Sequence, residues 1–175
     1  MDFNLSPKTT EYAAKLQAFM DSEVFPAEAV YHQQREQLIA QGKPHALPAI
    51  VEELKTKAKA LGLWNLFLPH YGHGLSVTDY ATLAEITGWS PEIAPEAINC
   101  AAPDTGNMEL LDMFGNKEQK ERWLQPLLDG QIRSAFAMTE PAVASSDARN
   151  IQTQIVKDGD HYVINGTKWW TTGAM

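Results

Sequence analysis

Cysteine is almost absent from this sequence of 175 residues, and long apolar runs and basic clusters are missing altogether. The single cysteine, Cys100, excludes an intramolecular disulfide and a cysteine-rich zinc finger. The longest apolar stretch, residues 61–69, is broken by Asn65 and is too short to span a bilayer. Acidic residues outnumber basic ones by 22 to 14, giving a net charge of −8. Without a Lys/Arg cluster, nucleic acid is not an expected partner.

Other residue types also narrow the class of protein. No neighbour of Cys100 in the sequence would lower its thiol pKa, so we expect a buried apolar cysteine. The five histidines are scattered, and no metal site is expected. Lys8, Glu11 and Lys15 interrupt any apolar signal segment, so no secretory signal peptide is expected. We expect a soluble protein of a bacterial cytoplasm or an organelle matrix.

Residues 1–131 are predicted to form a helical domain. Capping or proline signals mark the helix starts, at Ser6 before Pro7, Pro48, Ser76 with Asp79, Asp104 and Asn116. Glycines at positions 62, 88, 115 and 130 are expected to end helices or the helical region. Apolar residues recur at helical spacing, namely Tyr12, Leu16, Phe19 and Met20, then Ile50, Val51, Leu54, Ala58 and Leu61, then Met108, Leu111 and Phe114.

The pattern changes near residue 131, and residues 132–175 are predicted to begin a β domain. Three short runs are rich in apolar, β-branched or aromatic residues, at 132–138, 151–156 and 162–164. Asp158-Gly159 separates the last two runs and predicts a hairpin, because glycine accepts a positive φ. The predicted fold class is therefore α+β, an all-α domain followed by the start of a β-sheet or barrel domain.

Two short segments of the β region combine aromatic and hydroxyl side chains. The first runs from Phe136 through Thr139-Glu140-Pro141 to Ser146-Asp147, and the second covers residues 165–173. Hydroxyls at a strand end suit a ligand site, since backbone N–H groups become free there. A plain turn at Pro141 and aromatic packing explain the same residues. From residue chemistry alone, the turn and packing interpretation is favoured.

The order and spacing of these segments resemble the acyl-CoA dehydrogenase family. Thr139-Glu140-Pro141 to Ser146-Asp147 is similar to the first family signature, and residues 165–172 (NGTKWWTT) to the second. Residues 115–127 resemble the helix and loop that lead into the family's β domain. The run 102–107 and the loop 142–145, one residue longer than usual, are similar to the branch of family members 10 and 11.

The resemblance implies a flavoenzyme of fatty acid metabolism that binds FAD and removes the α- and β-hydrogens of an acyl-CoA. It also implies an electron-transfer flavoprotein as acceptor and a homo-oligomer. The cofactor-binding residues would be Phe136, Met138, Thr139, Ser145, Ser146, Trp170, Thr171 and Thr172. Ser146, preferred over Ser145 because it directly precedes Asp147, would also contact the substrate. Glu140 is assigned no acid–base role, and no catalytic residue is named.

By the same resemblance, the chain would be an N-terminal portion that lacks the family's C-terminal four-helix domain and its catalytic base, beyond Met175. We therefore expect the chain alone to be inactive, to retain no FAD and to expose a large apolar helical surface. Two alternatives stay open. An acyl-CoA oxidase or flavin monooxygenase shares the signatures, and a non-enzymatic helical interaction module would bind neither flavin nor CoA.

Overall fold

The computed structural model describes residues 4–71 and 73–174, and within them eight α-helices precede one β-hairpin. The helices are α1 (Pro7–Phe19), α2 (Phe25–Ala40), α3 (Ala49–Ala60), α4 (Val77–Thr87), α5 (Ala94–Ala97), α6 (Asp104–Phe114), α7 (Lys117–Gln119) and α8 (Gln125–Leu128). The strands are β1 (Gln154–Asp158) and β2 (His161–Asn165), after a 3₁₀ turn at Ala148–Asn150. This order confirms the predicted α+β class, with a helical region first and a short sheet after it.

Side-chain caps begin three of the helices as predicted. Ser6 Oγ accepts a hydrogen bond from the backbone of the first turn of α1, at 3.0 Å. Ser76 and Asp79 form a reciprocal capping box at the start of α4, and Asn116 and Gln119 form another before α7. These bonds satisfy N–H groups that no helical carbonyl can reach.

Two pairs of helices, α1 with α2 and α7 with α8, are joined end to end by π-helical turns at Met20–Val24 and Lys120–Leu124. In each case the second residue of the following helix is a proline, Pro26 in α2 and Pro126 in α8. Proline has no N–H and crowds the carbonyl four residues earlier. Widening the preceding turn is one way to keep the helical direction across such a site.

The hydrophobic core lies between the helices, where α1 packs on α4, α2 on α3, and α3 on α5. Leu16, Leu54 and Leu83 are fully buried in it. Most of the predicted α3 stripe is buried as expected, but Leu61 is 52% exposed because it follows the last helical residue. Leu66, Phe67 and Leu68 are also buried, so the apolar helical surface is smaller than the sequence suggested.

Two further residues of the helical region bear on predictions. Cys100 is buried, as predicted, and burial raises the pKa of its thiol to about 11. Asp104 does not cap α6, contrary to prediction. Pro103 is the capping residue, and Asp104 is the first residue of the helix. Phe114, expected on the buried stripe of α6, is 73% exposed.

The β region has little sheet structure. β1 and β2 pair antiparallel from Gln154↔Asn165 to Asp158↔His161, around a turn at Gly159 with a φ of +59°. All ten strand residues are exposed. The run 132–138, predicted as a strand, forms only an isolated bridge between Phe136 and Thr172. Within residues 4–71 and 73–174, none of the helices has both the length and the apolar character of a membrane span.

Candidate functional site

The two segments singled out in the sequence lie side by side. The backbone N–H of Phe136 donates to the carbonyl of Thr172 at 2.9 Å, and the N–H of Trp169 donates to the carbonyl of Thr139 at 3.1 Å. The chain therefore brings residues 30 and 36 positions apart together in one antiparallel pair of segments. Phe136 and Thr172 face the start of α6.

A cleft of about 500 Å³ separates this pair from α6. Its lining is mainly apolar and comprises Ala102, Pro103, Thr105, Gly106, Asn107, Leu110, Phe136 and Thr172. A second cavity of about 290 Å³ shares Asn107 and Leu110 and is lined further by Trp123, Leu127 and Ile132. The volumes and the apolar walls suit a small-molecule ligand with a few polar groups.

Each of the two segments carries an exposed aromatic side chain, and that of Phe136 lines the cleft. Phe136 is 53% exposed and Trp170 is 82% exposed. Trp170 has a φ of +50°, a conformation that bulky residues rarely adopt and that clusters at functional sites. Trp169 packs edge-on against it, with ring centroids 6.4 Å apart.

The remaining predicted residues of the two segments differ in their surroundings. Met138 and Thr171 are half-buried, and Thr139 and Thr172 are exposed. Among the residues that the structure describes, the hydroxyls of Thr139 and Thr172 have no hydrogen-bond partner. Two exposed, unpaired hydroxyls on adjacent segments can therefore bond a ligand without breaking an existing bond.

The two candidate serines have different roles in the loop. Ser145 is 2% exposed, and its Oγ accepts a hydrogen bond from the backbone N–H of Glu140 at 2.7 Å. Ser146 is exposed, and its hydroxyl contacts no polar group within the described part of the chain. Only Ser146 is available to a ligand, while Ser145 closes the loop.

Glu140 is buried at the junction between the two segments, an arrangement that sequence reasoning missed. Its carboxylate accepts from the N–H groups of Gln152 and Thr153, at 2.8 and 2.9 Å, and from Lys168 Nζ at 2.9 Å. The Thr153 hydroxyl, the Gln152 N–H and the Lys168 ammonium hold the pKa of Glu140 at about 2. Thr153 Oγ1 meets no partner at ordinary hydrogen-bond geometry, so it acts as a nearby dipole rather than a formed bond.

A second buried carboxylate, that of Asp104, lies at the start of α6. Asp104 Oδ1 accepts from the N–H and hydroxyl of Ser134, at 2.8 and 2.5 Å, and Oδ2 accepts from Arg133 Nε at 2.5 Å. Arg133 also pairs with Glu96, and Glu96 with Lys55, at 2.5 and 2.8 Å. The arginine within the apolar run 132–138 was the one signal in the sequence for this network. Across residues 4–71 and 73–174, no group of three or more metal-ligating side chains is found.

Two family models match the chain, the acyl-CoA dehydrogenase N-terminal domain over residues 6–131 and the middle domain over residues 135–175. A probable acyl-CoA dehydrogenase of Mycobacterium tuberculosis, FadE2, is 63% identical over 174 residues, which is 99% of this chain and 42% of that protein. Human acyl-CoA dehydrogenase family member 11 is 50% identical over 95% of this chain and 21% of its own length.

A solved structure gives the same result. A putative acyl-CoA dehydrogenase from Mycobacterium abscessus superposes with a TM-score of 0.89 at 48% identity, covering 97% of this chain and 43% of that one. The chain thus spans less than half the length of these relatives. The chain belongs to the acyl-CoA dehydrogenase family, and proteins named family members 10 and 11 are among its relatives.

Proposed function

We propose that this chain forms part of a flavin-dependent acyl-CoA dehydrogenase and supplies one wall of its FAD and acyl-CoA site. The Phe136–Thr172 bridge is the observation that carries the proposal. It places two signature segments together beside an apolar cleft of about 500 Å³. We further propose that residues 1–131 and 132–175 belong to separate domains, the helical and the middle domain.

The exposed aromatic and hydroxyl residues of the two segments fit an isoalloxazine ring. Such a ring has flat apolar faces and a polar edge, and Phe136 and Trp170 present exposed aromatic surface. Thr139 and Thr172 can donate hydroxyl hydrogens to the polar edge, where negative charge develops on reduction. When bound, FAD supplies the acceptor for the hydride that leaves the substrate. Met138, Ser145 and Thr171 would complete this wall through their backbone and packing.

The cleft and the loop that carries Ser146 are assigned to the two halves of an acyl-CoA. The apolar lining of the cleft, which includes Pro103 and Leu110, would take the acyl chain, because burial of CH₂ groups drives such binding. Ser146, exposed at the loop, would contact the polar CoA portion. An electron-transfer flavoprotein as the electron acceptor and a homo-oligomeric assembly belong to the same proposal.

Neither buried carboxylate near the cleft is assigned to proton removal. Glu140 accepts bonds from three donors, and its pKa of about 2 makes it a weak base. Asp104 is bonded to Ser134 and Arg133 through both oxygens. We therefore place the catalytic base outside this chain, in the remainder of the complete protein.

The test compares threonine variants in the complete protein encoded by the gene. Thr139→Val and Thr172→Val remove the proposed flavin hydroxyls while nearly keeping side-chain shape. Thr78→Val, at an exposed position on α4, is the matched control. A lost hydrogen bond of about 0.5–1.5 kcal/mol corresponds to a change of roughly two- to tenfold. We expect acyl-CoA to reduce the flavin, followed at 450 nm, more slowly in both site variants than in the wild type. The control should be reduced at the wild-type rate.

Several outcomes would contradict the proposal. Unchanged reduction rates in both site variants would remove the residue assignment. A complete protein that binds neither FAD nor acyl-CoA would favour the non-enzymatic alternative, whereas rapid reoxidation by O₂ with release of H₂O₂ would favour an oxidase. The 175-residue chain alone should retain no FAD after desalting, and a one-to-one flavin signal there would overturn that expectation.

A further inference from the structure

The three segments that line the cleft meet at Ser134. Its N–H and hydroxyl bond to Asp104 at the start of α6, and its hydroxyl accepts from Asn107 Nδ2 at 2.8 Å. Gly173, next to the bridge residue Thr172, lies so close that a Cβ there would be 2.4 Å from the Ser134 carbonyl oxygen. Ser134 thus contacts α6 and the 170–174 segment, two residues before Phe136.

Asp104 holds this junction from behind the cleft. It is 3% exposed and lines neither cavity, yet both its oxygens are used on the segment that enters the bridge. Bonds to a carboxylate are shorter and about twice as strong as neutral ones. The charge of Asp104 is balanced by Arg133, whose other end is fixed by Glu96. Separating such a pair leaves an uncompensated buried charge, and this cost opposes rearrangement of the segments that the pair joins.

We propose that Asp104 is a positioning residue of the ligand site, acting through Ser134 to set the distance between α6 and the Phe136–Thr172 bridge. The inference rests on the proposed function, because it assumes that this cleft holds the flavin and the acyl chain. Asp104 touches neither. Its role is to fix the width of the cleft and, through Ser134, the orientation of Asn107, which lies at both cavities.

The experiment uses matched aspartate substitutions in the complete protein. Asp104→Asn keeps side-chain volume but breaks the ion pair with Arg133. Asp79→Asn is the control, since Asp79 also accepts from a backbone N–H and from hydroxyls, those of Ser6, Ser76 and Thr9, at the start of α4. Ser134→Ala is the second site variant, and it leaves the Asp104–Arg133 pair intact.

Three readouts separate positioning from stability. Hydrogen–deuterium exchange is followed in peptides covering residues 133–137 and 170–174 of the apoprotein. FAD affinity of the apoprotein and the KM and kcat for an acyl-CoA are measured beside it. We expect Asp104→Asn and Ser134→Ala to speed exchange in both peptides and to weaken FAD affinity or raise KM about tenfold. Asp79→Asn should lower the thermal midpoint without either effect.

Two failures are distinguishable. If Asp104→Asn and Asp79→Asn lower the midpoint alike and leave local exchange, FAD affinity and KM at wild-type values, Asp104 is structural only and the inference is wrong. If Asp104→Asn does not fold, Ser134→Ala alone decides. If the wild-type protein binds no FAD and no acyl-CoA, the proposed function fails and the ligand-site role with it. The exchange data then report only whether Asp104 orders the junction.

Discussion

The two parts of this chain are held together by different forces. The helical part has a continuous apolar core from Tyr12 in α1 to Leu128 at the end of α8. In the described residues after position 131, the buried side chains are those of Glu140 and Ser145, both polar. The helices are stabilised by apolar burial, whereas the β segment is ordered by hydrogen bonds to two buried carboxylates, Glu140 and Asp104.

The candidate site lies where these two differently stabilised parts meet. An apolar core tolerates small rearrangements at a cost proportional to the area exposed. A carboxylate bonded by several donors is far more sensitive to geometry, because losing one donor leaves a buried charge. The cleft lies at the boundary of the two parts, with α6 from the apolar core on one side and the polar-anchored bridge on the other.

The largest loss of unfolding free energy is expected from Leu54→Ala, which tests the apolar core of the helical part. Leu54 is 1% exposed in the core, and such a truncation costs about 2–5 kcal/mol of unfolding free energy. Ile164→Ala, in the hairpin, is the matched variant, and at 66% exposure it should change stability by less than about 0.5 kcal/mol. Urea unfolding of both variants measures the difference. Equal losses would mean that the hairpin is covered in solution.

The next effect in size tests the polar-anchored part. Gly173→Ala combines a φ of +83° with a Cβ 2.4 Å from the Ser134 carbonyl oxygen. Gly159→Ala is the control, since its φ is +59° but no atom lies within 4 Å of an added Cβ. The left-handed conformation costs each about 1–2 kcal/mol, and only Gly173→Ala should also open the Phe136–Thr172 bridge. Amide exchange at Phe136 reads this directly, and similar exchange in both variants would contradict the close approach.

The sequence predicted local structure better than distant contacts. Capping at Ser6, Ser76 and Asn116, the end of α3 and the hairpin at Gly159 all depend on residues a few positions apart. The resemblance to a family supplied the site segments, which residue chemistry alone did not favour. Their approach at the Phe136–Thr172 bridge agrees with that interpretation, while the roles of individual residues stay predictions.

What the sequence could not supply were contacts between residues far apart in the chain. Asp104 was interpreted as a helix cap because aspartate before an apolar stripe usually is one. Its actual partners lie about 30 positions later, at Arg133 and Ser134. Glu140 was predicted only to lie in the loop of the first signature, yet Lys168 and the backbone of residues 152–153 enclose it. Burial of a charged group is set by tertiary packing and leaves little local signal.

Lowering the pH is expected to change stability by a smaller amount, through the buried carboxylate of Glu140. The pKa of Glu140 is held at about 2, below the ordinary value of about 4.3. A carboxyl with a lowered pKa stabilises the fold above its unfolded pKa, and this contribution is lost as pH falls from about 4.3 toward 2. The stability difference between the wild type and Glu140→Gln should therefore narrow over this range. Urea midpoints at several pH values measure it, with Glu109→Gln, at an exposed carboxylate, as the control. A constant difference would mean that folding does not lower the pKa of Glu140.

The smallest effect on folding, below about 0.5 kcal/mol, is expected from Phe114→Ser on the outer face of α6. Leu110, Met113 and Phe114 are 58%, 71% and 73% exposed on this helix, beside the cleft. Contiguous apolar surface beyond a few hundred Å² is rarely left uncovered on a monomer. We therefore expect the 175-residue chain to self-associate at micromolar concentration, through this face, and Phe114→Ser to weaken that association.

Trp89→Ser removes an aromatic that is 77% exposed elsewhere on the helical part and is the control. Sedimentation compares the three proteins. A wild-type chain that stays monomeric would mean that the exposed apolar face of α6 does not drive self-association. A larger effect of Trp89→Ser than of Phe114→Ser would place the contact on another face.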